Sequence, residues 1–412
     1  MNLEFFITKR IAFSQSNSFS GFIIKIAVVA IALSMTVMVI TTSMVNGFQN
    51  EISRKIFGFW GHIHIRSFDS NQSYEDINPI SKDQHFYPAI DTIPGIRHIQ
   101  VYANKAGIIK TDDEIEGIIM KGISTDFDWD FFQEYLIKGR PMQLNDSSKV
   151  NEVVLSQVTA NRLNLDTGKS VIVHFIESAK YIPKRKLKVV GIYKTGLEEY
   201  DEKYALMDIK HIQRINRSKS WDEGMVGGFE VFLDDVEDLD KFSELVYYEI
   251  IGQDLLSQNI REINPNIFEW LDLQDTNETV ILTLMVVVAI INMITALLIL
   301  ILDRTNMIGI LKALGADNWR IRKIFLYNAA YIIGWGLLIG NVVGIGFCWL
   351  QDRFGFIQLD EESYYLAVAP VDINLGLILM LNLATLIICV VSLVLPSYMV
   401  TTINPIKAIR FK

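Results

Sequence analysis

The sequence predicts an α-helical membrane protein with four transmembrane helices and a large extracytoplasmic α+β domain. Three observations predict it. Half of the 412 residues are apolar. The excess gathers into four runs, and the stretch between the first two runs alternates strand-like with helix-like patterns.

The four runs cover 22–45, 280–302, 324–350 and 373–396. At 1.5 Å per residue each is long enough to cross a hydrocarbon layer about 30 Å thick, and only a helix satisfies its own backbone at that depth. Lys9 and Arg10 precede the first run as the charged flank of a signal peptide would. That run exceeds a signal core of about 7 to 15 residues, and Thr41 to Asn46 offers no small-x-small cleavage site, so an uncleaved helix is expected.

Cations beside the spans set the orientation. Arg304, Lys312, Arg320, Arg322 and Lys323 lie between the second and third runs, and Lys407, Arg410 and Lys412 follow the fourth. Between the third and fourth runs, Arg353 stands against Asp352, Asp360, Glu361, Glu362 and Asp372. The expected organisation is a cytoplasmic amphipathic segment 1–20, a span 21–45, an extracytoplasmic domain 46–277, a span 278–302 and a cytoplasmic loop 303–323. A span 324–350, an external loop 351–372, a span 373–396 and a cytoplasmic tail complete it. In the first segment Phe5, Phe6, Ile7, Ile11 and Phe13 surround Lys9 and Arg10, which suits either a surface helix or an extension of the span.

Polar residues inside the runs are few. Lys25 is near enough to an end to snorkel, while Asn292, Asn341 and Asn382 lie deeper and are expected to bond across helices. Gly336, Gly340 and Gly344 recur every four residues in the third run and form a smooth ridge for close helix approach, within the chain or across a dimer.

In the external domain, strands are expected around His62 to Ile65, Glu152 to Leu155, Val171 to Phe175, Lys188 to Tyr193, Ala205 to Met207 and Phe229 to Leu233. A helix is expected from Asp238 to Ile251. Both cysteines, Cys348 and Cys389, fall in spans, so this domain must rest on its core and not on disulfides. The net charge of −9 argues against a nucleic-acid partner.

Motifs for chemistry are sparse. Gly168-Lys169-Ser170 resembles the end of a phosphate loop, but Leu163 stands where the first glycine is needed, so a turn is expected. His62 and His64 share a strand face without neighbours that complete a metal set. No metal, cofactor or catalytic residue is assigned to this chain.

The informative segment is the loop 303–323. Met307, Ile308, Leu311 and Leu314 form an apolar stripe, Gly315 suits a left-handed C-cap, and Asp317 can N-cap the helix entering the third span. A loop this short has little core to join, so the stripe is expected to be buried against a partner protein. In the tail, Asn404 caps, Pro405 takes the first helical position, and Ile406 and Ile409 form an apolar edge beside Lys407 and Arg410. Membrane-surface anchoring remains open for this segment.

At Ile310-Leu311-Lys312-Ala313-Leu314-Gly315-Ala316, the chain resembles the FtsX-like permease family of ABC transporters. Leu395-Pro396-Ser397-Tyr398 and Asn404 to Arg410 are similar to that family's ending, with leucine for the usual aromatic. Phe5 to Arg10, Met44 to Phe48, Gly139-Arg140, Glu152 to Leu155 and Ala160 to Leu163 resemble the lipoprotein-releasing permeases of the LolC/LolE type.

The resemblance implies a MacB-periplasmic-core-like external domain and a cytoplasmic ABC ATPase dimer that holds ATP and Mg. It also implies a second permease subunit, identical or homologous, and an acylated lipoprotein cargo. Met307, Ile308, Gly309, Leu311, Lys312, Ala313, Leu314 and Gly315 would then couple to the ATPase, and the spans would pass its closure to the external domain. Tyr181, Ile182, Pro183 and Lys184 match the region of a carrier-binding hook, with an ordinary hairpin loop as the alternative. A MacB-like export permease and an FtsX-like regulator of a cell-wall hydrolase are the competing functions.

Overall fold

A computed structural model describes residues 19–68, 78–111, 114–175, 182–215 and 221–403. The chain divides into a helical unit, 1–50 with 270–358 and 368–412, and an α+β unit, 51–269 with 359–367. The expected segment 1–20 lies outside the described residues apart from Phe19 and Ser20, as does the tail from Asn404 onward.

The helical unit is built on α1 (Phe19–Trp60), α2 (Pro265–Asp303), the short α3 (Thr305–Ala313), α4 (Asn318–Phe354) and α5 (Leu375–Ser392). Short turns Val394–Ser397 and Met399–Thr402 prolong α5. Among the described residues, four helices are long and apolar enough to cross a membrane. Local chemistry marks their ends. Gly315 takes φ +87, letting Gly315 N–H bond the Lys312 carbonyl and Ala316 N–H the Leu311 carbonyl, so the chain reverses after α3. Asp317 accepts from Trp319 N–H at 3.1 Å to start α4, and Asn374 accepts from Gly376 and Leu377 to start α5.

Helices α1 and α2 continue past their apolar runs. Thr42 donates to Glu278 at 2.6 Å and Gln49 donates to Asp275 at 2.6 Å, so polar pairs join the two helices where the apolar residues stop.

The core of this unit gathers Ile31, Met35 and Val39 of α1, Met293 and Leu297 of α2, Phe325 and Ile333 of α4, and Cys389 of α5. Gly336, Gly340 and Gly344 lie against α1 of the same chain. A Cβ at Gly340 would stand 2.6 Å from the Met35 Cβ and 2.7 Å from the Ala32 carbonyl oxygen. Thr36 donates across this seam to the Gly340 carbonyl at 3.2 Å.

The α+β unit holds β1 (Ile63–Ser67), β2 (Ile96–Lys110), β3 (Ile115–Ile123), β4 (Leu136–Gly139) and β5 (Glu152–Ser156). It continues with β6 (Ser170–Phe175), β7 (Lys184–Tyr193), β8 (Tyr204–Asp208), β9 (Gly228–Leu233) and β10 (Leu255–Asn259). They form one sheet in the order β10-β1-β9-β2-β3-β8-β5-β7-β4, with β6 pairing both β2 and β7. The circuit β2-β3-β8-β5-β7-β6 therefore closes on itself as a six-stranded barrel, which removes exposed strand edges there. Strand β2 belongs to both parts of the sheet: Tyr102 pairs with Gly228 of β9, and Gly107 pairs with Phe175 of β6.

Beneath the sheet, Phe59 packs 5.3 Å from the rings of Phe132 and Tyr200 and 5.7 Å from Tyr204. The expected helix at 238–251 is a succession of a 3-10 turn, Leu239–Leu245 and a wider turn Val246–Ile250.

Candidate coupling site

Helix α3 is short, so the environment of each side chain follows from its place on the wheel. Ile308 is fully buried, Gly309 is buried, and Met307 and Leu311 pack half-buried against the core shared by α1, α2, α4 and α5. This corrects the expectation that the Met307–Ile308–Leu311–Leu314 stripe is buried against a partner. Most of it is spent inside the chain, since Ile308 belongs to the core of the long helices and Met307 and Leu311 pack against that core. The opposite face carries Ile310, 53 % exposed, Leu314, 79 % exposed, and the exposed Ala313 and Gly315. Asn306, Asn318, Trp319 and Arg320 of the same loop are exposed as well.

Lys312 points inward. Its Nζ donates to the carbonyl oxygens of Val400 at 2.8 Å, Thr401 at 3.2 Å and Ile403 at 2.9 Å. Arg322, buried near the start of α4, reaches the same region. Its Nε donates to Ser397 Oγ at 3.1 Å, and its guanidinium lies 3.8 Å from the centre of the Tyr398 ring. Stacking of this kind contributes on the order of 1 kcal/mol, more where water is excluded. Neither contact was legible in the sequence, where Arg322 read only as an orientation signal and Lys312 also as one of the residues expected to meet the ATPase; here Lys312 is turned to the carbonyls at the chain's own helix end.

Of the expected carrier-binding loop, Tyr181 lies outside the described residues. Ile182 is exposed, while Pro183 is buried, and its carbonyl accepts from Phe175 N–H at 2.9 Å. Lys184 already belongs to β7, paired with His174. Asn404, Pro405, Ile406, Ile409 and Arg410 lie outside the described residues.

Residues 359–367, from the connection between α4 and α5, belong to the α+β unit. Glu361 accepts from Lys194 Nζ at 2.6 Å, and the Tyr365 carbonyl accepts from Lys55 Nζ at 3.2 Å. In the same unit Lys121 and Glu230, both fully buried, form an ion pair at 2.7 Å. Lys121 also donates to the Phe59 carbonyl at 2.8 Å, in the last turn of α1, and Gln100 donates to Glu230 at 2.8 Å. A positive charge at a helix C-terminus is favourable, and the added hydrogen bonds offset part of the desolvation of the pair.

The two histidines are packing residues. His62 stacks on Phe57 at 4.4 Å and its Nδ1 accepts from Leu233 N–H at 3.2 Å, while His64 Nε2 lies 2.8 Å from the Trp60 carbonyl. Burial pulls their pKa values down to about 4 and about 3. Among the described residues, no group of three or more His, Cys, Asp or Glu is placed to hold a metal.

Comparison with known proteins places these features in a family setting. The model of the MacB-like periplasmic core domain matches residues 26–246, more than half of the chain, and that of the FtsX-like permease C-terminal region matches 279–405. The lipoprotein-releasing system transmembrane protein LolC of Xylella fastidiosa is 23 % identical over 97 % of this chain and 96 % of its own length. The corresponding LolE of Haemophilus influenzae is 22 % identical over 99 % of both. Among solved structures, the periplasmic region of MacB from Actinobacillus actinomycetemcomitans aligns with TM-score 0.35 and 16 % identity, covering 50 % of this chain and 91 % of that one.

Proposed function

The chain belongs to the family built on the MacB-like periplasmic core domain, here joined to an FtsX-like permease C-terminal region, and on that premise we propose a function as a subunit of a lipoprotein-releasing machine. It is the membrane subunit of an ABC transporter that couples ATP hydrolysis by a partner ATPase to release of acylated lipoproteins from the inner membrane. The near full-length likeness to LolC and LolE proteins supports the cargo class.

One observation of the structure carries the coupling role. Helix α3 has its own hydrophobic needs met by the chain, yet it leaves Ile310, Ala313 and Leu314 uncovered on one face. A leucine that exposed, on a helix already anchored, suits a cleft on another protein.

In this reading the loop bearing α3 faces the cytoplasm and the α+β unit lies in the periplasm. ATP and Mg are held by the ATPase, whose closure presses on α3. The long helices α1 and α2 each carry residues of both units, so displacement of the spans has a covalent path to the α+β unit. A second permease subunit completes the assembly, and a periplasmic carrier receives the cargo.

Affinity purification of the full chain in mild detergent tests the reading. It predicts recovery of an ABC ATPase together with an acylated protein. Recovery of the ATPase with a cell-wall hydrolase instead, or stimulation of ATP hydrolysis by drugs or peptides but not by lipoprotein, contradicts the cargo assignment.

A further inference from the structure

Helix α3 is covalently continuous with α2 and, through Gly315 to Asp317, with α4. It has no backbone continuity with the end of α5, yet its only lysine is committed there. The Lys312 ammonium has three N–H donors, and three carbonyls, those of Val400, Thr401 and Ile403, surround it within 3.2 Å. These carbonyls belong to the last turn, Met399–Thr402, and the residue that follows it. Carbonyls at a helix end lack partners from the helix itself and carry partial negative charge, so the lysine satisfies them and complements their field.

Burial reinforces the contact. Val400 is fully buried in the same core as Ile308, and Leu311 and Ile403 pack against it. The Arg322 contacts to Ser397 and Tyr398 hold the preceding turn, Val394–Ser397, to α4.

We propose that Lys312 is a positioning residue that clamps α3 to the C-terminal turn of α5, so that force applied to α3 reaches the fourth span directly as well as its covalent neighbours. The partner ATPase is not the ligand of this lysine. Within the segment, Ile310, Ala313 and Leu314 meet the motor while Lys312 holds the lever to the frame. This inference rests on the proposed coupling role of α3, but its structural half stands apart from that role.

The test compares Lys312→Met, Lys312→Arg and wild type as full chain within the purified complex. Amide hydrogen exchange over 394–403 reads the clamp, and lipoprotein released per ATP hydrolysed reads transmission. With Lys312→Met, exchange across 394–403 rises tenfold or more, as expected for loss of charge-assisted hydrogen bonds to the helix end. Release per ATP falls at unchanged recovery of the ATPase, and Lys312→Arg, which can also donate to carbonyls, restores both readings.

Exchange equal to wild type in Lys312→Met overturns the clamp, whatever happens to release. Raised exchange with undiminished release per ATP overturns the transmission role. Loss of ATPase recovery in Lys312→Met, regained on Lys312→Arg, places the lysine at the motor and overturns the proposal. Should no ATPase accompany the wild-type chain, the functional reading fails while the exchange measurement still decides the clamp.

Discussion

Asn341 of α4 and Asn382 of α5 exchange side-chain hydrogen bonds, Asn341 Nδ2 donating to Asn382 Oδ1 at 2.7 Å and Asn382 Nδ2 donating back at 3.0 Å. Each amide also donates to the backbone four residues earlier, at Leu337 and Ile378, both at 2.7 Å. The pair therefore meets its own needs inside two apolar helices and fixes their register. Asn292 of α2 is half-buried and makes no side-chain hydrogen bond among the described residues.

Replacing Asn341 with Leu strands the Asn382 amide. The expected loss is about 0.6 to 1.7 kcal/mol, the range found for hydrogen bonds between membrane helices. The double replacement Asn341→Leu with Asn382→Leu recovers most of it, because no polar group is left unpaired. Thermal melting of the full chain in detergent checks this, and a double variant as unstable as the two single losses combined contradicts it.

Glycines of α4 separate into two kinds. Gly340→Ala pushes a methyl into Met35 and the backbone of Ala32, and is expected to cost about 1 to 3 kcal/mol by overpacking. Gly334→Ala meets nothing within 4 Å and is expected to be neutral or to gain up to about 1 kcal/mol from helix propensity. Melting temperatures moving together for the two variants contradict the ridge.

His62 supplies a pH dependence with a defined sign. Burial lowers its pKa from 6.5 to about 4 in the folded chain, so between those values the unfolded chain binds the proton and the folded chain does not. The stabilisation is present above pH 6.5 and is lost as pH falls toward 4. His62→Gln lacks this titration. Relative to wild type, the variant should gain ~3 kcal/mol between pH 7 and pH 4 in denaturant unfolding followed by tryptophan fluorescence. Taking the difference cancels groups that titrate oppositely, such as Asp201, whose pKa burial raises to about 6. A difference independent of pH contradicts the buried neutral imidazole.

The membrane helices were legible because hydrocarbon permits few sequences, and the joint after α3 was legible because Gly315 and Asp317 are the residues such a turn demands. Strands such as Glu152–Ser156 and Ser170–Phe175 were also readable, being rich in β-branched residues. The strands Ile96–Lys110 and Ile115–Ile123 were not. They carry Asn104, Lys105 and Lys121, polar residues that read as surface but are buried, Lys121 beside Glu230 across the sheet. Pairing between residues a hundred positions apart leaves no local pattern. The same limit hid the inward face of α3, because the carbonyls that hold Lys312 lie some ninety residues further along the chain.

The most direct measurement replaces Leu314 with Asp in the full chain and follows ATPase recovery and lipoprotein released per ATP. Leu314 is 79 % exposed, so folding stability should stay within about 0.5 kcal/mol of wild type. An aspartate placed in an apolar cleft of the motor should lower ATPase recovery, or release per ATP, at least tenfold. Wild-type recovery and wild-type release with Asp at this position, and again with Ile310→Asp, contradict the account that this uncovered face is where the motor pushes.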